Sequence, residues 1–179
     1  MHHTARRPSG ASGTGEGVPP RADIETRLTG ELATVVAGAR RRALRDGDRQ
    51  IDTAHLLHSL LETDPEVRAA FAGADQLARV LGYLVQRSIG YGLRWQARAE
   101  GVPPVTPATP VTGWSPAAVR AMEAALARAE AREDLRAGGT DLLAAVAADP
   151  DCRAVEVLRH AGVDPVGLVG RLCAASRTA

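Results

Sequence analysis

"IDTAHLLHSLLETDP", residues 51–65, is the stretch on which the fold turns. Thr53 stands where a helix would open, and His55 and His58 follow among Leu56, Leu57, Leu60 and Leu61. Histidines three apart share one face of a helix and can ligate a metal. Here no glutamate completes a His-Glu-x-x-His pattern, and neither a cysteine nor a third histidine has a suitable position. The stretch therefore reads as a packed helix, with His55 hydrogen-bonded at its start and His58 at the surface. No metal and no cofactor are expected. Asp64-Pro65 ends this helix and starts the next, because proline suits a first helical position and disfavours a helical residue before it.

Working outward, Leu28, Leu32, Val35, Val36, Ala39 and Ala43 recur at three- and four-residue steps, the face of a helix opened by Thr29 and stopped at Asp46-Gly47-Asp48. A third helix runs from Pro65 through Val67 and Phe71 to Gly73, and a fourth follows Asp75 with Leu77, Val80, Leu81, Leu84 and Val85. The pattern then recurs 86 positions later. Thr29 maps to Ser115, Leu32 to Ala118, Val35 to Ala121, Val36 to Met122, and His55-Leu56-Leu57 to Asp141-Leu142-Leu143. Asp64-Pro65 returns as Asp149-Pro150, and Gly73-Ala74-Asp75 as Gly162-Val163-Asp164. The expected fold is all-α: two tandem, pseudo-symmetric four-helix repeats, eight helices in all. The first spans 23–89 and the second 114–175. A Gly/Ser/Pro/Arg-rich disordered tail (1–22), a Pro/Thr-rich linker (90–113) and a short tail (176–179) complete the chain.

Composition agrees and excludes. The chain is 45% hydrophobic but only 3% aromatic, so its core is built from Ala, Val and Leu, which suits closely spaced helices. Net charge is +1, leaving no global field to recruit nucleic acid or an anionic membrane. Every cation apart from histidine is an arginine, so no P-loop lysine exists. No apolar run approaches the ~20 residues of a membrane span, and the start lacks a secretory h-region. A cytoplasmic location is the expectation. Cys152 and Cys173 fit no zinc pattern and read as small hydrophobes.

The string Asp52-Thr53-Ala54-His55-Leu56-Leu57, its decayed partner Gly138-Gly139-Thr140-Asp141-Leu142-Leu143, and the closing Gly-x-Asp resemble the duplicated amino-terminal domain of ClpA/ClpC-type unfoldases, over roughly residues 24–173. The resemblance implies an eight-helix domain that docks substrates or adaptors; with no ATPase module in the chain, it looks like a stand-alone Clp N-domain protein of a type seen in actinobacteria. In the ClpC type a glutamate in each Thr-Glu-His block helps bind phosphoarginine. Ala54 and Thr140 stand there and carry no charge, so that ligand is not expected. A second family surface binds cyclic-peptide antibiotics at the start of each repeat's first helix. By resemblance Trp114 matches its aromatic position and Glu123 an acidic one. Val119 replaces a lysine found in mycobacterial relatives, and Leu28 heads the first repeat.

The candidate ligand-binding residues are therefore Leu28, Trp114, Val119 and Glu123. Trp114 reads equally well as an aromatic capping the second repeat. Tyr91, Arg94, Trp95 and Arg98 are expected to dock the linker onto the helices. Arg40-Arg41-Arg42 reads as a solvated face, and Arg128 and Arg132 with Glu130 and Glu133 as exposed helix pairs. No catalytic constellation emerges. The expected function is a non-enzymatic module that binds a peptide, an adaptor or a peptide-like small molecule, modulating a Clp protease or sequestering such ligands. The alternative is a repurposed helical repeat serving regulation or assembly.

Overall fold

The apolar steps of the sequence become helices with the caps their flanking residues supply. The computed structural model describes residues 21–98 and 113–176. After a short α1 (Arg21–Thr26), α2 (Gly30–Asp46) is capped by Thr29, whose hydroxyl accepts the Leu32 N–H, and is closed by Gly47 in the left-handed conformation at φ 76°. β1 (Gln50–Ile51) leads into α3 (Thr53–Thr63), α4 (Pro65–Ala69) and α5 (Ala74–Arg98). The second repeat follows as β2 (Gly113–Trp114), α6 (Pro116–Glu130), α7 (Gly139–Ala148), α8 (Arg153–His160) and α9 (Pro165–Ala175). Asp64, Ser115 and Asp164 cap α4, α6 and α9, each followed by a proline in the first turn.

The duplicated four-helix plan is thus present, with α1 added before it. Two boundaries differ. Helix starts at Arg21, within the expected tail, and α5 runs to Arg98, past the expected linker start at 90. The segment 93–98 is made of residues compatible with helix, and the first proline after it is Pro103. The rest of the tail and linker, and the side chains of Tyr91, Arg94, Trp95 and Arg98, lie outside the described residues, as does the 177–179 end.

α3 and α7 are the central helices. Residues 53–61 and 141–147 are buried on every side, the polar Thr53, His55, His58, Ser59 and Asp141 among them. α2, α5 and α8 cover α3, while α6, α9 and α4 cover α7, and α3 meets α7 at the pseudo-twofold axis. The core between them is aliphatic: Leu32, Ile51, Leu56, Leu57, Leu60, Met122, Leu142, Leu143 and Leu158 are fully buried. Each such side chain contributes roughly 1.5–3 kcal/mol relative to exposure. On α6 the buried face is largely alanine (Ala118, Ala121, Ala125, Ala129), which lets its neighbours approach closely.

His58, expected at the surface, is buried instead at 6% exposure. It lies in the middle of a helix enclosed by α2, α5 and α8, so its side has no solvent face to occupy.

Candidate functional site: the seam between the repeats

The two repeats are stitched together by their lead-in residues. β1 and β2 pair in parallel, Gln50 with Gly113 and Ile51 with Trp114, and the Ser115 N–H donates to the Ile51 carbonyl at 2.8 Å. The equivalent pair is Leu28 with Ala137, where the Thr29 N–H donates to the Ala137 carbonyl at 3.0 Å and the Ala137 N–H to that of Arg27 at 2.9 Å. Leu28 and Trp114 are 86 positions apart, as are Ile51 and Ala137. Each first-helix lead-in therefore grips the second-helix lead-in of the other repeat.

Beside the Ile51–Trp114 pair lies a groove of about 640 Å³, lined from the first repeat by Asp48, Arg49, Gln50, Asp52 and Thr53, and from the second by residues 115–117, Arg120 and 151–153. Three helix starts converge on it, those of α3, α6 and α8. Arg153 reaches across the seam to Asp52 (2.6 Å), and Arg120 pairs with Asp149 (3.1 Å). Cys152, the residue before α8, gives it no side-chain cap. Thr53 of the other repeat does so, its hydroxyl accepting the Ala154 N–H at 3.1 Å.

Behind the groove sits a buried polar cluster. Asp52 and His55 form a capping box: the Asp52 carboxylate accepts the His55 N–H at 2.9 Å, and the neutral His55 ring accepts the Asp52 N–H at Nδ1, 3.1 Å away. The protonated ring instead faces the Asp52 carboxylate, 3.0 Å from Nδ1. At its other nitrogen stand Asp48 (3.3 Å) and Asp46 (3.6 Å). Burial alone would push the His55 pKa down, but Asp48 and Asp52 outweigh it and hold the pKa at about 9. Burial opposes ionisation of Asp52 too, yet its bonds with His55 and Arg153 keep it well below the usual carboxylate range. Burial, reinforced by the Arg42 guanidinium, pushes His58 down to about 4. The His55 ring faces Asp46, Asp48 and Asp52, so the cluster concentrates opposite charges at the junction of α2 and α3.

The second repeat carries half a capping box. Gly138 has no side chain to cap α7, but Asp141 accepts the Gly138 N–H at 3.0 Å. Asp141 is only 3% exposed and takes a bidentate pair from Arg132, at 2.7 and 2.9 Å. Arg132 also holds Asp134. It is thus no exposed helix pair, as its spacing suggested; it lies beyond the end of α6 and reaches the start of α7. Arg128 likewise points at the Cys173 sulfur, 3.5 Å away, while Glu130 pairs with Arg27. In the arginine run, Arg40 pairs with Glu25 and Arg42 with Glu62, and Arg41 is exposed.

Of the four residues singled out by resemblance, Leu28 and Trp114 are 3% and 6% exposed. They form the two seams and offer almost no side-chain surface in this conformation. Val119 and Glu123 are half-buried one turn apart on α6, and neither lines the groove, to which α6 contributes Pro116, Ala117 and Arg120. The structure brings Trp114 beside Ile51 and Leu28 beside Ala137, and does not gather all four into one pocket. Residues that sequence reasoning passed over are Asp46, Asp48 and Arg153. The first two carried a signal, since the offset of 86 turns Asp46 into Arg132 and Asp48 into Asp134.

Comparison with solved structures gives the same architecture. The crystal structure of the N-terminal domain of the caseinolytic protease associated chaperone ClpD from Arabidopsis thaliana aligns with a TM-score of 0.60 at 15% identity, over 86% of this chain and 97% of that one. A structure from a study of a malarial protein secretion system also gives 0.60, at 13% identity, over 83% of this chain and 94% of the other. At such identities the likeness is one of fold. No curated protein matches the chain in sequence. The Clp repeat (R) N-terminal domain family matches residues 27–161, three quarters of the sequence and both halves of the seam, and the chain belongs to that family.

Proposed function

We propose that this chain is a docking module that holds an extended peptide or adaptor segment in the groove between its repeats, and so modulates a Clp protease or sequesters peptide-like ligands. The observation that carries the reading is the groove itself. It is large enough for several side chains, draws its walls from both repeats, and mixes apolar surface (Pro116, Ala117) with fixed charges (Arg120, Arg153, Asp151). Extended segments present alternating side chains and backbone amides, which suit a wall of this mixed kind. Val119 and Glu123 extend the contact along α6, and the buried Leu28 and Trp114 act as the seams that hold the walls in place. Phosphoarginine is not the ligand on this reading, because Ala54 is buried and uncharged where a carboxylate would grip the guanidinium.

The test uses fluorescein-labelled casein as an unfolded polypeptide, with binding followed by anisotropy. Ala117→Trp fills the groove from the half-buried start of α6 and should weaken binding by about tenfold or more. Equal binding by the wild type and the Ala117→Trp protein would remove the groove from consideration.

A further inference from the structure

We propose that the segment taken by the groove between the repeats is an acidic one, gripped through its aspartate and glutamate side chains. The proposal rests on the docking reading above and gives it a ligand chemistry. The charged residues lining the groove are balanced in number, three arginines against three aspartates, but not in position. Arg49, Arg120 and Arg153 are all exposed, with 61% of the Arg120 side chain and 46% of the Arg153 side chain open to solvent. Of the aspartates only Asp151 is exposed; Asp48 is half-buried and Asp52 is buried.

Those two carboxylates are also already answered. Both face the His55 ring, at 3.3 and 3.0 Å, and against its burial they hold its pKa at about 9, so at neutral pH the imidazolium balances part of their charge. An incoming chain therefore meets three guanidinium groups and one carboxylate. A guanidinium carries five N–H donors in a planar fork, and the bond from Arg120 to Asp149 at 3.1 Å uses one of them. The fork can grip a second carboxylate beside the first.

The backbone adds the same sign. α6 opens onto the groove through residues 115–117, its cap is the neutral Ser115 hydroxyl, and its first turn holds no acidic residue. The partial positive charge at that helix start is left uncancelled. With a net charge of only +1 over the whole chain, the attraction belongs to the groove and is no general affinity for anions. Nucleic acid fits less well, because Trp114, the aromatic beside the groove, is buried in the seam and offers no face for a base to stack on.

The experiment compares two forms of dephosphorylated, fluorescein-labelled casein by anisotropy with the full chain, one with its carboxylates intact and one with them converted to neutral amides. The amidated form should bind about tenfold more weakly, and unlabelled poly-L-glutamate should displace the acidic form. Arg49→Gln/Arg120→Gln alters exposed side chains and spares Arg153 at the seam. It should weaken the acidic form by about tenfold and leave the amidated form unchanged. Equal affinity for the two caseins, or equal affinity of the wild type and the double variant for the acidic form, would overturn the acidic preference. If Ala117→Trp still weakened both caseins in that case, the docking reading would survive alone; if it weakened neither, both would fall. Tighter binding of a labelled oligothymidylate than of acidic casein would also overturn the proposal.

Discussion

The two repeats solve one problem with opposite signs. In the first, an imidazole at the third position of the central helix faces carboxylates from the preceding loop; in the second, a carboxylate at that position faces a guanidinium. His55 corresponds to Asp141, Asp46 to Arg132 and Asp48 to Asp134. The attraction between two charges is unchanged when both are exchanged, so duplication preserves the position of the pair and not the residues that make it. The motif therefore changes its residues at this position while the structural role survives.

The comparison is broken most forcefully at Arg132. Arg132→Ala strands a buried carboxylate and should cost roughly 3–5 kcal/mol in urea denaturation. Asp46→Ala, its counterpart, should cost clearly less, because His55 keeps Asp48 and Asp52 as partners. Equal costs would mean the two junctions are equivalent in energy as well as in place.

The pH dependence sharpens the contrast within the first repeat. His55, raised from 6.5 to about 9, contributes stability that is complete below pH 6.5 and lost as pH climbs through 9. His58, lowered from 6.5 to about 4, contributes stability that is complete above pH 6.5 and lost as pH falls toward 4. Each limb spans roughly 3 kcal/mol, so stability should peak near pH 6.5. His55→Gln should flatten the alkaline limb and leave the acid limb standing. A protein whose stability is level between pH 6.5 and 9 would contradict the assignment.

A smaller difference separates Thr53 from Gly139, again 86 positions apart. Thr53 lends its hydroxyl to α8, which has no side-chain cap of its own. Gly139 leaves room for Asp64, which caps α4 from within; a Cβ there would collide with that carboxylate. Gly139→Ala should therefore cost roughly 2 kcal/mol, from lost capping and overpacking. Thr53→Ala should cost about 1 kcal/mol. Thermal melts of the two proteins should fall in that order.

Much of the fold was legible because it rests on local signals. Thr29, Gly47, Asp64 and Ser115 announce helix ends, and the leucine spacing announces buried faces. The repeat was visible as an offset of 86 that shifts only at helix junctions, to 85 at Asp149 and 89 at Gly162. The site was less so, for two reasons. The Asp52–Arg153 contact and the Thr53–Ala154 bond each join residues 101 apart, which no window can pair. Trp114 and Leu28 are singled out by resemblance alone, and an apolar residue before a helix serves equally well as a seam, whose partners Ile51 and Ala137 lie far off in the chain. His58 was misplaced because one helix's own periodicity does not reveal that neighbours cover every side of it.

The reciprocal lead-in pairs have a consequence for how the chain reaches its native state. Ile51 and Trp114 are 63 positions apart and Leu28 and Ala137 are 109 apart, so closing each seam brings distant parts of the chain together. Neither half owns a complete edge. A fragment ending in the Pro/Thr-rich stretch would leave Leu28 and Ile51 without the backbone partners that shield them, and would be expected to associate or unravel rather than persist as a small bundle. Each half thus supplies the edge that the other lacks, an exchange that within one chain costs no association.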